Sequence, residues 1–199
     1  MKQKSYTKQF SALFCVLILL VLINISFGSV SIPFHEILDI LSGNNSSKSS
    51  WDLIILHFRL PKAITAILVG SGLAIAGLLM QTLFRNPLAG PFVLGISSGA
   101  SLGVALLILG SGIFGGVLAT IAFSSWGLAI ASSIGAALVL LAVLVTATKV
   151  RNTMSILIIG LMFGTVTSAI ISVLTFFSDA EKIQQFIFWG FGNLGNLSW

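Results

Sequence analysis

The chain has 199 residues, 56% of them hydrophobic and 8% charged, with a net charge of +5 and a mean hydropathy of +1.09. Soluble domains carry about 25% charged residues because something polar must face water, so this composition excludes a soluble globule and defines an integral membrane protein. The ten basic residues form no stripe with interleaved aromatics, which excludes nucleic acid as a partner. The single cysteine, Cys15, excludes an intrachain disulfide and a CxxC metal cluster.

A bilayer core takes about 20 largely apolar residues per helix. The first span is predicted at 10–27, after Lys2, Lys4 and Lys8. A basic start before an apolar run also describes a signal peptide, with a cleavage zone at 26–29. The length of the run and the spans that follow favour a retained anchor. Residues 28–62 are the most polar stretch: Ile32, His35, Glu36, Ile37, Leu38, Ile40 and Leu41 predict a short amphipathic interfacial helix, and 43–50 a loop. The second span is predicted at 63–80, with Pro61 just before its first turn, where a missing N–H costs nothing. Arg85-Asn86-Pro87 forces a turn. A glycine-rich third span follows at 92–109. Residues 113–125 are read as a partly inserted connector, then a fourth span at 126–148 and a fifth at 154–177. The tail, 178–199, is too short and too polar for a sixth.

With the N-terminus inside, the inner face holds Lys2, Lys4, Lys8, Arg85, Lys149 and Arg151, six basic residues and no acid. The outer face holds Lys48, Arg59, Lys62 and Lys182 with all five acids, Glu36, Asp39, Asp52, Asp179 and Glu181. The positive-inside bias favours that orientation over its inverse.

No charge falls within a predicted span, which argues against a proton-driven pump. Small residues recur every fourth position: Ala66, Gly70 and Ala74; Gly95, Gly99 and Gly103; Gly127, Ala131 and Gly135; Gly160, Gly164, Ser168 and Ser172. Tight helix packing explains such stripes, and a translocation path lined by small residues explains them as well. His35 and His57 stand 22 positions apart with no third ligand at useful spacing, so no metal site is expected.

Two passages carry more than composition. Arg59-Leu60-Pro61-Lys62 leads into Gly70-Ser71-Gly72-Leu73-Ala74-Ile75-Ala76-Gly77 and Gln81. Arg85-Asn86-Pro87-Leu88-Ala89-Gly90-Pro91 is followed by Leu94-Gly95-Ile96-Ser97-Ser98-Gly99-Ala100. In this order they resemble the FecCD-type permeases, the membrane subunits of ABC importers for iron–siderophores, haem and cobalamin. Phe188-Trp189-Gly190-Phe191-Gly192 and Trp199 are similar to the family's segment after its fifth span.

The resemblance implies an all-α membrane bundle working beside a second permease copy or homologue, a cytoplasmic ABC ATPase dimer and an extracytoplasmic binding protein, in a bacterial inner membrane. It implies that this chain binds no cofactor, since ATP and magnesium belong to the ATPase. Arg59 and Lys62 match the family's basic docking positions, with Lys where Arg is usual. Two cations at a helix N-terminus face the unfavourable end of its dipole and gain by meeting an external carboxylate; the alternative is that they are interfacial anchors. Gln81, Arg85, Asn86 and Pro87 fall at an inner turn, or at an ATPase contact. Trp189, Gly190 and Gly192 fall at an outer gate, or in an aromatic belt.

Family members have roughly ten spans, and about five are expected here. The chain therefore reads as the N-terminal part of a permease, truncated on its C-terminal side. The competing readings are a divalent-metal permease and a non-transporting membrane protein that assembles with a full-length permease.

Overall fold

The computed structural model describes residues 6–44, 46–111, 124–150, 152–194 and 199. Lys2, Lys4, Arg151 and most of the connector predicted over 113–125 lie outside them. Every regular element among the described residues is helical. The chain divides into two compact units, residues 1–71 with 193–199, and residues 72–192.

In the first unit, α1 (Thr7–Ser26) is apolar around its whole circumference and ends where Phe27 turns extended. That is the pattern of a helix facing lipid. Pro33 fixes the entry to α2 (Phe34–Leu41), which buries Ile37 and Ile40 and turns Phe34, Leu38 and Leu41 outward. Ile25, Ile32, Ile37, Ile40, Ile55 and Ala63 form this unit's core, with Val21, Trp51, Ile54 and Leu60 packed on it.

The next helix departs from the expectation of a loop followed by a span at 63–80. A single helix, α3, runs Ser49–Phe84 for 36 residues. Its segment Ile54–Arg59 is wound as a π-helix, and Leu60 N–H donates to Ile55 O, five residues back. Pro61 therefore does not open the helix but sits inside it. The wider π-turns before it supply the local adjustment by which a helix takes in a proline.

In the second unit, α3 closes on a tight turn and the chain passes through a short 3₁₀ segment (Pro91–Leu94) into α4 (Ile96–Ile108). The continuous third span expected over 92–109 is not formed. Gly95, at φ 72°, separates the 3₁₀ turn from a helix of only 13 residues, about 20 Å long. The helices α5 (Ser125–Ala147), α6 (Thr153–Phe176) and α7 (Ala180–Gly190) follow. Asn152 caps α6 through its side-chain oxygen, which accepts from Met154 N–H at 3.0 Å. Among the described residues, four helices are long and apolar enough to cross a membrane, α1, α3, α5 and α6, with α4 as a shorter apolar helix. Val104, Ala105, Leu107, Ile108 and Leu109 of α4 make one core, with Ile183, Phe186 and Trp189 of α7 against it. Phe84, Ala89, Leu94, Val139 and Val143 make another.

Candidate functional site

Arg59 does not stand at a helix N-terminus. It lies ten residues into α3 and turns its guanidinium onto the end of α1. Nη1 donates to Ile25 O at 2.6 Å and to Ser26 O at 2.9 Å, and Nη2 donates to Val30 O. The last carbonyls of a helix have no partner within it and carry the negative end of its dipole. A planar cation with five donors suits that position. Gly28 leaves room for it, since a Cβ there would stand 2.8 Å from Arg59 Nη2. Arg59 thus meets the favourable end of a helix dipole, that of α1, and not the unfavourable N-terminal end expected for it. Lys62 is exposed and has no ion-pair partner among the described residues. With Arg59, Asn24 and Ser29 it lines an open cavity of about 310 Å³.

The turn at the far end of α3 has a definite geometry. Arg85 takes φ 50°, Asn86 N–H donates to Gln81 O at 3.1 Å, and Arg85 N–H to Thr82 O at 3.4 Å. These are the paired bonds of a Schellman cap, whose left-handed position is normally glycine. Asn86 Oδ1 then accepts from Leu88 N–H at 2.9 Å, across Pro87. Gln81 thus contributes its backbone, Asn86 both backbone and side chain, and Arg85 a strained conformation that leaves its side chain outside the turn's bonding.

The glycines divide into two groups. Gly70 has nothing within 4 Å of a built Cβ and, like Ala74, is exposed; it lines a largely apolar groove of about 440 Å³ with Leu17, Leu20 and Val21 of α1. In the second unit Gly95, Gly99, Gly103, Gly135 and Gly160 lie at backbone crossings, whereas Gly72 and Gly77 have open space beside them. A Cβ on Gly99 would sit 2.6 Å from Gly135 O, and one on Gly103 would collide with Ala131 O. One on Gly160 would sit 2.6 Å from Val93 O, and one on Gly95 2.7 Å from Gly160 O. Gly164 is less crowded, facing Ser98 Oγ at 3.4 Å.

Two adjoining cavities open along α4 and α6. One, of about 340 Å³, is lined by Phe92, Gly95, Ser98, Gly160, Gly164, Thr165 and Ser168 among others. The other, of about 410 Å³, is lined by Ser97, Ser98, Ser101, Ser168, Ser172 and Phe186 among others. Ser98 and Ser168 border both. Sequence reasoning held Ser168 and Ser172 in a small-residue stripe read as packing or a translocation path, and Ser97 and Ser98 as part of the family-like passage, but it did not single out Ser101.

Trp189 stacks on Phe186 (centroids 6.4 Å apart, planes at 18°) and packs on the α4 core. Gly192, at φ 71°, donates its N–H to Trp189 O at 3.1 Å as α7 ends, and Gly190 has open space beside it.

A second feature the sequence did not reveal is Glu36. Only 5% exposed, it accepts from Ser47 N–H at 3.0 Å and from Ser47 Oγ, with His35 Nε2 3.7 Å away. The two bonds from Ser47, and the His35 charge after them, hold its carboxyl below the usual range against the opposing effect of burial. Among the described residues no group of three or more His, Cys, Asp or Glu side chains converges as a metal site.

Long apolar helices packed through glycine, with irregular backbone between them, define a polytopic helical membrane protein. Sequence comparison then gives the family. The profile of the FecCD transport family matches residues 16–199, and the chain belongs to that family. It is 36% identical over 190 residues to the iron chelatin transport system permease protein of Helicobacter pylori, covering 92% of this chain and 54% of that one. It is 32% identical over 200 residues to the vitamin B12 import system permease protein BtuC of Klebsiella pneumoniae, covering all of this chain and 55% of the relative. The fold is similar to that of a metal-chelate type ABC transporter in an inward-facing conformation, with TM-score 0.77, 28% identity, and coverage of 98% of this chain and 56% of that one. The chain spans about half the length of the curated relatives it matches.

Proposed function

We propose that the chain supplies membrane-spanning helices to the permease of an ATP-driven importer for a ferric siderophore or similar bulky metal chelate. The observation that carries this reading is the family match over residues 16–199, supported by the relative that handles iron chelatin. The chain works in a bacterial inner membrane with its N-terminus cytoplasmic, beside a second permease copy or homologue. A cytoplasmic ABC ATPase dimer holds the ATP and magnesium, and an extracytoplasmic binding protein delivers the chelate. Cobalamin is the second reading, favoured by the likeness of all of this chain to about half of the vitamin B12 permease.

The geometry refines the residue roles. Arg59 fixes the end of α1, and Lys62 is the cation left to meet an acidic face of the binding protein. Arg85 keeps a left-handed backbone that glycine would adopt without strain. Strain retained in a tight turn points to a use for the side chain, and contact with the ATPase is that use. The test is uptake of labelled ferric chelate and of labelled cobalamin by cells producing the gene product with its neighbouring ATPase. ATP-dependent accumulation of the iron label alone is the expected result. Accumulation of cobalamin alone selects the second reading, and accumulation of neither, with no ATPase co-purifying, overturns the importer.

A further inference from the structure

In the first unit, the gap between α1 and α3 is polar at one end and apolar along the rest. At the polar end, Arg59 and Lys62 border the cavity of about 310 Å³ together with Asn24 and Ser29. Asn24 also borders the apolar groove of about 440 Å³, so the two spaces adjoin. On α3 the groove runs from Ala63 past Ala66 and Gly70 to Ser71, about 12 Å of helix. Leu17, Leu20 and Val21 of α1 form its other wall. Ser71, at the far end, spends its hydroxyl on Leu68 O at 3.0 Å.

The polar cavity is lined by two cations and no acid. Arg59 donates to carbonyls, which take its hydrogen bonds but bring no full negative charge. Neither Arg59 nor Lys62 has an ion-pair partner among the described residues. Paired cations at a membrane surface attract an anionic headgroup. In a bilayer an apolar groove is filled, since open space forfeits the dispersion contacts of its walls.

We propose that the gap is a binding site for one anionic phospholipid, with its phosphate beside Lys62 and Asn24 and one acyl chain laid along Ala63, Ala66 and Gly70. The Lys62 ammonium is a compact charge on a flexible stem, and the Asn24 amide has N–H groups to donate to a phosphate oxygen. Small residues on α3 let the acyl chain approach the backbone; a Cβ built on Gly70 meets nothing within 4 Å. A membrane helix laid in the groove would fill it too, but it would leave both cations without an anion, since acids are rare in such helices. Because Lys62 is also the cation offered to the binding protein, the lipid holds that charge while the binding protein is away. The proposal goes beyond the importer reading and requires only that α1 and α3 lie in a bilayer.

The experiment uses the full chain with the partners it assembles with, purified in a mild detergent. Native mass spectrometry counts bound lipid as dioleoyl phosphatidylglycerol or dioleoyl phosphatidylcholine is titrated in. The first phosphatidylglycerol on each chain should bind about tenfold more tightly than phosphatidylcholine, the scale set by nearby Lys and Arg charges. Lys62→Met should remove most of that preference. Ala66→Phe, which fills the groove and keeps both cations, should weaken both lipids several-fold. Val69→Phe, at an exposed position on α3 that lines neither cavity, should weaken neither. Equal affinity for the two lipids, or a preference that survives Lys62→Met, overturns the headgroup site. Equal effects of Ala66→Phe and Val69→Phe overturn the groove. Glycerol phosphate that competes as well as the intact lipid assigns the cations to a free phosphate. Loss of a co-purifying membrane subunit on Ala66→Phe, with lipid binding unchanged, assigns the groove to a helix; either result overturns the proposal. Lipid binding needs no transport, so it is read whether or not the chain serves an importer.

Discussion

The indole Nε1 of Trp199 donates to the backbone carbonyl of Leu56, 2.7 Å away and 143 positions earlier in the chain. The reason that carbonyl is available lies five residues further along. In the π-wound stretch each N–H reaches back five residues, as Leu60 does to Ile55; the next donor in that register is Pro61, which has no N–H. Leu56 O is therefore the carbonyl that the proline orphans, and Trp199 takes it.

Trp199→Phe should lower thermal stability in detergent by about 1 kcal/mol, the net worth of one hydrogen bond. In a Pro61→Ala background the same change should cost less, because residue 61 then has a donor of its own. A double-mutant cycle reads the coupling directly, and strict additivity would show that the two residues do not share the carbonyl.

Arg59→Met removes the donors to the last two carbonyls of α1 and to Val30 O beyond it, and a loss on the order of 2–3 kcal/mol is expected, since hydrogen bonds to charged groups carry more than neutral ones. Arg59→Lys should recover only part, as an ammonium lacks the fork. Lys62→Met should leave stability within about 0.5 kcal/mol, as exposed substitutions usually do, while weakening attachment to the binding protein. Equal destabilisation by both substitutions would contradict the division of labour.

The Glu36–Ser47 contact makes the placement of Ser47 sensitive to acid. A carboxyl held below its usual range in the folded state contributes stability that is complete above the unfolded-state pKa. That contribution fades as pH falls through the lowered folded value. Hydrogen exchange at the Ser47 amide, corrected for intrinsic rates, should show protection from neutral pH down to the ordinary carboxylate range and a decline below it. Glu36→Gln should remove the pH dependence; an unchanged acid profile would assign it to another group.

At the glycine crossings, Gly99→Ala should cost about 1–3 kcal/mol, the range for overpacking, because its methyl meets Gly135 O and the Val139 side chain. Gly70→Ala, with open space around it, should be neutral or slightly stabilising in detergent, since alanine favours helix. Thermal melts of the two variants compare them, and equal losses would mean that the Gly70 face is also packed.

Hydropathy makes the long helices legible: α1, α5 and α6 begin and end within about three residues of the apolar runs that signal them, the usual precision of such boundaries. It fails where polarity and secondary structure part company. Ser49 and Ser50 close the stretch that reads as a loop and Ala63 reads as the start of the second span, yet all three lie within α3, which begins at Ser49. The run 92–109 is apolar enough to read as one span, yet a single left-handed glycine divides it. Arg59 was legible as a residue of interest through Arg59-Leu60-Pro61-Lys62. Its partners were not, because they are backbone carbonyls about thirty positions upstream and any sequence there would supply them.

The length of α3 has a mechanical consequence. Thirty-six helical residues make a rod of about 54 Å, against a hydrocarbon core of about 30 Å. The rod must overhang or tilt, and a thicker or thinner bilayer changes its inclination more readily than its length. Because Arg59 ties the overhanging part to the end of α1, a change in tilt drags that second helix with it. Membrane thickness is in this way an input to the positions of both helices, and lipid chain length should move them together.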